Sequence, residues 1–181
     1  MQLNYKLLDH PFYQAWSCGT ITLDQLSRYA KSYAEFIAQM PVYWQRIADG
    51  LGADATTVVE EESAHIGLWD KWSARLPESA GFPRMTEVLD SFAGMTPSEL
   101  LGAVHAFEIQ QPGVARTKMD GLEKHYGFTA DETTYFAEHL AEQEHIDFGT
   151  QLAATKANAE EFQRGFDAGA EKVYRSLDLF L

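Results

Sequence analysis

Residues 96–118 read "TPSELLGAVHAFEIQQPGVARTK", and the start of a helix is written into the first four. Thr96 can cap the chain with its side-chain oxygen, Pro97 suits the first helical position, and Glu99 follows the cap at the capping-box spacing. The run that follows is apolar, with Val104, Phe107 and Ile109 around a single carboxylate, Glu108. A carboxylate taken out of water is costly unless a cation or a metal compensates it. Glu108 therefore pairs with Lys118 or Arg116, reaches solvent, or ligates a metal. Four residues on, Pro112 has no N–H for the carbonyl of residue 108, so the helix is expected to bend or open there.

The same signals recur outward along the chain. Thr22 and Gln25 repeat the box ahead of Leu26, Tyr29, Ala30, Tyr33, Ile37 and Met40, apolar residues spaced by threes and fours. Pro41 interrupts that run and predicts a kink. Thr129 and Glu132 form a third box, predicting a helix from there into the 140s and 150s, and Gly127 would close the helix before it. A last helix should follow Asn158. Alternating β-branched runs are nearly absent, so strands have almost no support. The sequence predicts an all-α, single-domain bundle over residues 1–181, of about six to eight helices.

With 181 residues, 45% hydrophobic and 13% aromatic, the chain is long and apolar enough to bury a full core. Its formal net charge of -13 repels phosphate backbones and anionic membranes, and no Lys/Arg cluster offsets it. Nucleic acid and membranes are therefore excluded as partners. The single cysteine, Cys18, permits no intrachain disulfide. With no apolar run long enough for a signal peptide or a membrane span, a cytoplasmic location is expected.

Metal-ligand types gather on three predicted helices. Glu61 and His65 are four apart, about 40° around a helix. Glu108 stands on the second. On the third, His139, Glu142 and His145 are spaced by threes, with Glu138 and Glu144 alongside. Taken singly, each has an ordinary reading. Glu61 lies in the run Glu60 to Glu62, which suits a solvated face, and His65 suits a hydrogen-bonded surface histidine. Together the six fit the glutamate–histidine sites that helix bundles build for two metal ions, iron or manganese, with dioxygen as co-substrate. Spacing by threes drifts about 60° per step, placing His139 and His145 about 120° apart on an unbroken helix. Glu138, Glu142 and His145 form a tighter alternative set that would displace His139.

The segments "LDHPFYQAWSCGTITLDQLSRYAKSY", "HIGLWDKW", "FEIQQPGVARTKMDGLEKHYGF" and "YFAEHLAEQEH" together resemble the haem-oxygenase-like dimetal oxidases of the TenA/PqqC-like superfamily, and within them the para-aminobenzoate-forming branch. The resemblance implies a seven-helix bundle, a homodimer, and a dinuclear iron or iron/manganese site held by Glu61, His65, Glu108, His139, Glu142 and His145. It further implies that Tyr13 supplies the ring and Lys118 the amino group of para-aminobenzoate for folate synthesis, beside a second active-site tyrosine, Tyr135. Without the resemblance, Tyr13 reads as an aromatic packing on Trp16 and Lys118 as a surface lysine. Cys18 does not match the nucleophile of the thiaminase branch.

The chain also departs from the family pattern. Only Glu62, Ser63 and Ala64 separate Glu61 from His65, where the family has a longer insert. The third helix reads H-x2-E-x2-H instead of H-x3-D-x2-H, Phe107 stands where the branch has tyrosine, and the connection from 77 to 95 is short. Two rival readings follow. In one, the metals oxidise an external small molecule, a fatty acid or an amino acid. In the other, the altered spacings leave a metal-free binding or interaction protein. Metal content separates the second from the enzymes.

Overall fold

A computed structural model describes residues 2–79, 81–141 and 143–181. Its helices are α1 (Pro11–Cys18), α2 (Leu23–Ile37), α3 (Met40–Leu51), α4 (Thr56–Ser73), α5 (Thr86–Ala93), α6 (Pro97–Glu108), α7 (Gln111–Tyr126), α8 (Thr134–Glu138), α9 (Gln143–Thr155) and α10 (Ala159–Ser176). Single 3-10 turns stand at Leu7–Asp9 and Leu177–Phe180, and no strand occurs among the described residues.

The predicted caps form. At α2 the Thr22 oxygen accepts from the Gln25 amide, while the Gln25 side chain accepts from the Thr22 amide. Thr96 and Glu99 make the same reciprocal pair at α6. Asn158 caps α10 by accepting from two amides. Where prolines were expected to disturb helices, the chain breaks: α2 gives way to α3 just before Pro41, and α6 to α7 just before Pro112. Joining α2 with α3, α6 with α7 and α8 with α9 reduces the ten segments to the seven units of the bundle.

The predicted helix after Thr129 is where the structure differs. Half of the box is made: the Glu132 carboxylate accepts from the Thr129 amide at 2.8 Å and from its hydroxyl at 2.9 Å, while the Glu132 amide donates to the Thr129 carbonyl; only a turn follows, and helix begins at Thr134. The Thr133 hydroxyl lies 3.1 Å from the Glu123 carboxylate and 3.3 Å from the carbonyls of Thr129 and Ala130, and Thr134 donates to that of Asp131. Such hydroxyl bonds offer the backbone an alternative to helical pairing.

At the centre, α6 is buried along nearly its whole length and lies against α10. Glycines make the approach possible: a Cβ on Gly165 would overlap the Glu99 carbonyl, and one on Gly102 the Phe162 carbonyl. Glycine to alanine in a helix ordinarily stabilises by about 1 kcal/mol. Here a backbone atom stands in the way, and overpacking of that kind costs about 1–3 kcal/mol or more. Gly165→Ala is therefore expected to lower stability by at least about 2 kcal/mol, measured as a fall in the urea midpoint. Among the described residues no helix is long and apolar enough to cross a membrane.

Candidate metal centre and a buried lysine

On α4 the buried positions are Val58, Glu62, His65, Trp69 and Trp72, spaced by alternating fours and threes. That stripe turns Glu62 inward and leaves its neighbour Glu61 with a side chain 45% exposed. Glu62 was hidden in the charge run, but its place on an apolar helical stripe was the signal that could have found it. His65 lies one turn on, its Nδ1 3.6 Å from Glu62 Oε2.

Glu108, on the last turn of α6, reaches the same point. Glu62, Glu108 and His145 are all buried and each offers a ligand atom within 4.8 Å of the others. Glu108 thus meets α4 and α9, while Arg116 is exposed. His145 Nδ1 stands 3.4 Å from Glu62 Oε1, and its Nε2 lies 2.7 Å from Glu61 Oε2. Glu61 is therefore an outer carboxylate on a histidine of the cluster. A cleft of about 290 Å³, bordered by Glu61, Glu144 and His145, opens on this side.

His139 and His145 come together despite their spacing. The chain leaves helix between α8 and α9, so the drift calculated for an unbroken helix does not apply. The His145 ring lies 6.3 Å from that of His65, and the His139 ring lies 4.5 Å from it, tilted by 42°. Its Nδ1–H donates to the Tyr135 carbonyl at 2.6 Å, which leaves Nε2 as a lone pair. Burial, with the charge of His65 nearby, holds the His139 pKa down to about 3. Glu138, the alternative to His139, is exposed, and Glu142 lies outside the described residues. For Glu62, burial works against ionisation, but hydrogen bonds and charge from His145 and His65 outweigh it and hold its carboxyl well below the ordinary range.

This donor set fits a metal ion. Two buried carboxylates within 4.8 Å of each other call for a cation, and the imidazoles, neutral once they ligate, would complete a nitrogen–oxygen shell of the kind iron and manganese accept.

Beside the cluster sits Lys118, 3% exposed, on the buried stripe of α7 that includes Val114, Ala115, Gly121 and Leu122. No carboxylate pairs with it among the described residues. Its ammonium position lies 5.2–5.8 Å from the ring centres of Tyr13, Tyr29, Tyr33, Trp69 and Phe136. Desolvation alone lowers its pKa to about 7. Tyr13 is equally enclosed: its hydroxyl lies 3.3 Å from that of Tyr29, and burial raises its pKa. Trp16, one turn on from Tyr13, donates its indole N–H to the Lys118 carbonyl at 3.2 Å, tying α1 to α7. Tyr135 spans the two sites, 4.1 Å from the His139 ring and 4.9 Å from Trp69.

Residues 42–180 match the family described as iron-containing redox enzymes, and the chain belongs to that family. It is 31% identical to 4-aminobenzoate synthases of Chlamydia muridarum and Chlamydia trachomatis, over 75% of this chain and 66% and 68% of theirs. A 4-aminobenzoate synthase of Nitrosomonas europaea is 29% identical over 74% of this chain and 66% of its own. The chain thus spans about two thirds of the length of these relatives. Among solved structures, a domain of unknown function with a haem oxygenase-like fold from Shewanella denitrificans superposes with a TM-score of 0.76 at 16% identity, covering 96% of this chain and 85% of that one. A TenA homologue from Pseudomonas syringae gives 0.73 at 13%, covering 96% and 86%. The all-α, haem-oxygenase-like fold expected from the sequence is the one found.

Proposed function

We propose that this chain is a dimetal oxygenase that forms 4-aminobenzoate from its own Tyr13, with Lys118 as amino donor. The observation that carries the reading is the burial of a lysine amine, with no carboxylate partner among the described residues, against Tyr13 at the edge of a carboxylate–histidine cluster. We assign the metals to Glu62, His65, Glu108, His139 and His145, with Glu142 completing the set. Glu62 takes the place the resemblance gave to Glu61, and Glu61 holds His145 from outside. When bound, iron, alone or with manganese, supplies dioxygen activation there.

The rest is the chain's own work. Burial leaves much of Lys118 as the free amine near pH 7, so Nζ has a lone pair for bond formation. The same burial keeps the Tyr13 phenol protonated and fixes its ring under Nζ at 5.5 Å. Tyr135 stands between His139 and the cage, and the surrounding rings exclude water from both reactants.

The likeness to the 4-aminobenzoate synthases supports the product, and isotope labelling tests its source. Protein grown with ring-labelled tyrosine and nitrogen-labelled lysine, metal-loaded and exposed to dioxygen in unlabelled buffer, should release 4-aminobenzoate carrying both labels, at no more than one per chain. Unlabelled product, or many turnovers on an added substrate, would refute the self-derived origin.

A further inference from the structure

An aromatic acid made at Lys118 has to leave an enclosed place: Lys118, Tyr13, Tyr29 and Tyr33 are each 3% exposed or less. One wall of that enclosure is the single 3-10 turn Leu177–Phe180. The ring of Phe180 stands 5.3 Å from Tyr29 and 6.3 Å from Tyr33. On the outer side of the turn lies a pocket of about 330 Å³. Ser176 belongs to both sides, lining the pocket and lying against the Tyr33 phenol.

The pocket combines cations with an apolar wall. In a chain of net charge -13, Arg84, Lys172 and Arg175 line it with one carboxylate, Glu87, while Met85, Val88 and Leu179 give it an apolar wall. Each cation already has a carboxylate: Arg84 meets Glu35 at 3.1 Å, Lys172 meets Glu87 at 3.4 Å, and Arg175 meets Glu171 at 2.8 Å. Exposed pairs of this kind are worth only about 0–1 kcal/mol, so an arriving anion can share or displace them. A flat apolar ring with one carboxylate matches a wall of this kind with cations at its rim.

We infer that this pocket binds aromatic monocarboxylates, and that it receives the 4-aminobenzoate leaving the Lys118 enclosure past the Leu177–Phe180 turn. The carboxylate faces Arg84, Arg175 and Lys172, and the ring lies on Met85, Val88 and Leu179. The inference rests on the function proposed above for its ligand, but binding is read without synthesis.

The test titrates 4-aminobenzoate, with aniline as the uncharged comparator, into the Tyr13→Phe protein by calorimetry. That variant lacks the proposed ring donor and so holds no product of its own. Saturable binding is expected, with aniline weaker by at least about tenfold and an R84Q/R175Q double variant weakened to a similar extent. A K71Q/K156Q control, which makes the same charge change elsewhere, should bind as the parent does. The inference is overturned by absence of binding at millimolar ligand, by aniline binding equally well, or by the control weakening as much as the pocket variant. Labelled product from the native protein leaves the synthetic function standing whichever way the titration falls, so the two readings fail separately.

Discussion

Lys118→Met yields a protein that is more stable than its parent at pH 6 and forms no 4-aminobenzoate. Burial alone lowers the lysine from its ordinary value to about 7. Between those two values the unfolded chain holds a proton that the folded chain lacks, so stability rises with pH through that window. Below pH 7 the folded chain carries a buried ammonium at the full cost. A pKa unit is worth about 1.4 kcal/mol, and the five ring faces return part of the penalty by cation–π attraction. Methionine fills a similar volume without charge, so the expected gain at pH 6 is about 3 kcal/mol. Urea denaturation at pH 6 and pH 9 checks it: the gap between variant and parent should narrow at the higher pH. A lysine kept only for the fold would give the opposite sign, with the variant less stable at both. Loss of product together with gain of stability is the signature of a residue held at a cost for its chemistry.

That cost was legible in part. Gln111, Val114, Ala115, Lys118, Gly121 and Leu122 form one buried stripe on α7, so helical periodicity alone places Lys118 inside. Read singly, it passed for a surface lysine. The same periodicity separates Glu62 from Glu61, which a run of three glutamates conceals. The caps at Thr22, Thr96 and Asn158 were legible because a side-chain oxygen and a nearby amide make a local signal. The break between α8 and α9 was not. No proline or glycine marks residues 139–141, and at the helix start the Thr133 hydroxyl is shared between local carbonyls and the Glu123 carboxylate of α7, a tertiary contact that no local signal announces. A spacing that looked wrong for ligands, His139 to His145, becomes usable only when that break is known.

Glu108→Ala should abolish high-affinity metal binding while leaving the metal-free protein at least as stable as the parent. Glu108 is 2% exposed and shares its surroundings with Glu62, itself held ionised by His65 and His145. Two carboxylates this close repel each other in a medium of low dielectric, against the attraction of His65 and His145, and the variant is expected to relieve that repulsion as a strain of the metal-free parent. A bound metal removes that strain and stabilises the parent further, by about 2.7 kcal/mol at a free concentration of a hundred times its Kd. Elemental analysis of protein loaded with iron and manganese should therefore find metal in the parent and little in the variant. A metal-dependent rise in Tm should appear in the parent alone. A glutamate that merely paired with a cation would behave otherwise: its removal would orphan a buried charge and destabilise the metal-free protein by several kcal/mol, about 3–5 by precedent for broken buried pairs. The sign of the change in the metal-free state thus tells a ligand from a partner, and it is why an apolar helix face carries this carboxylate at all.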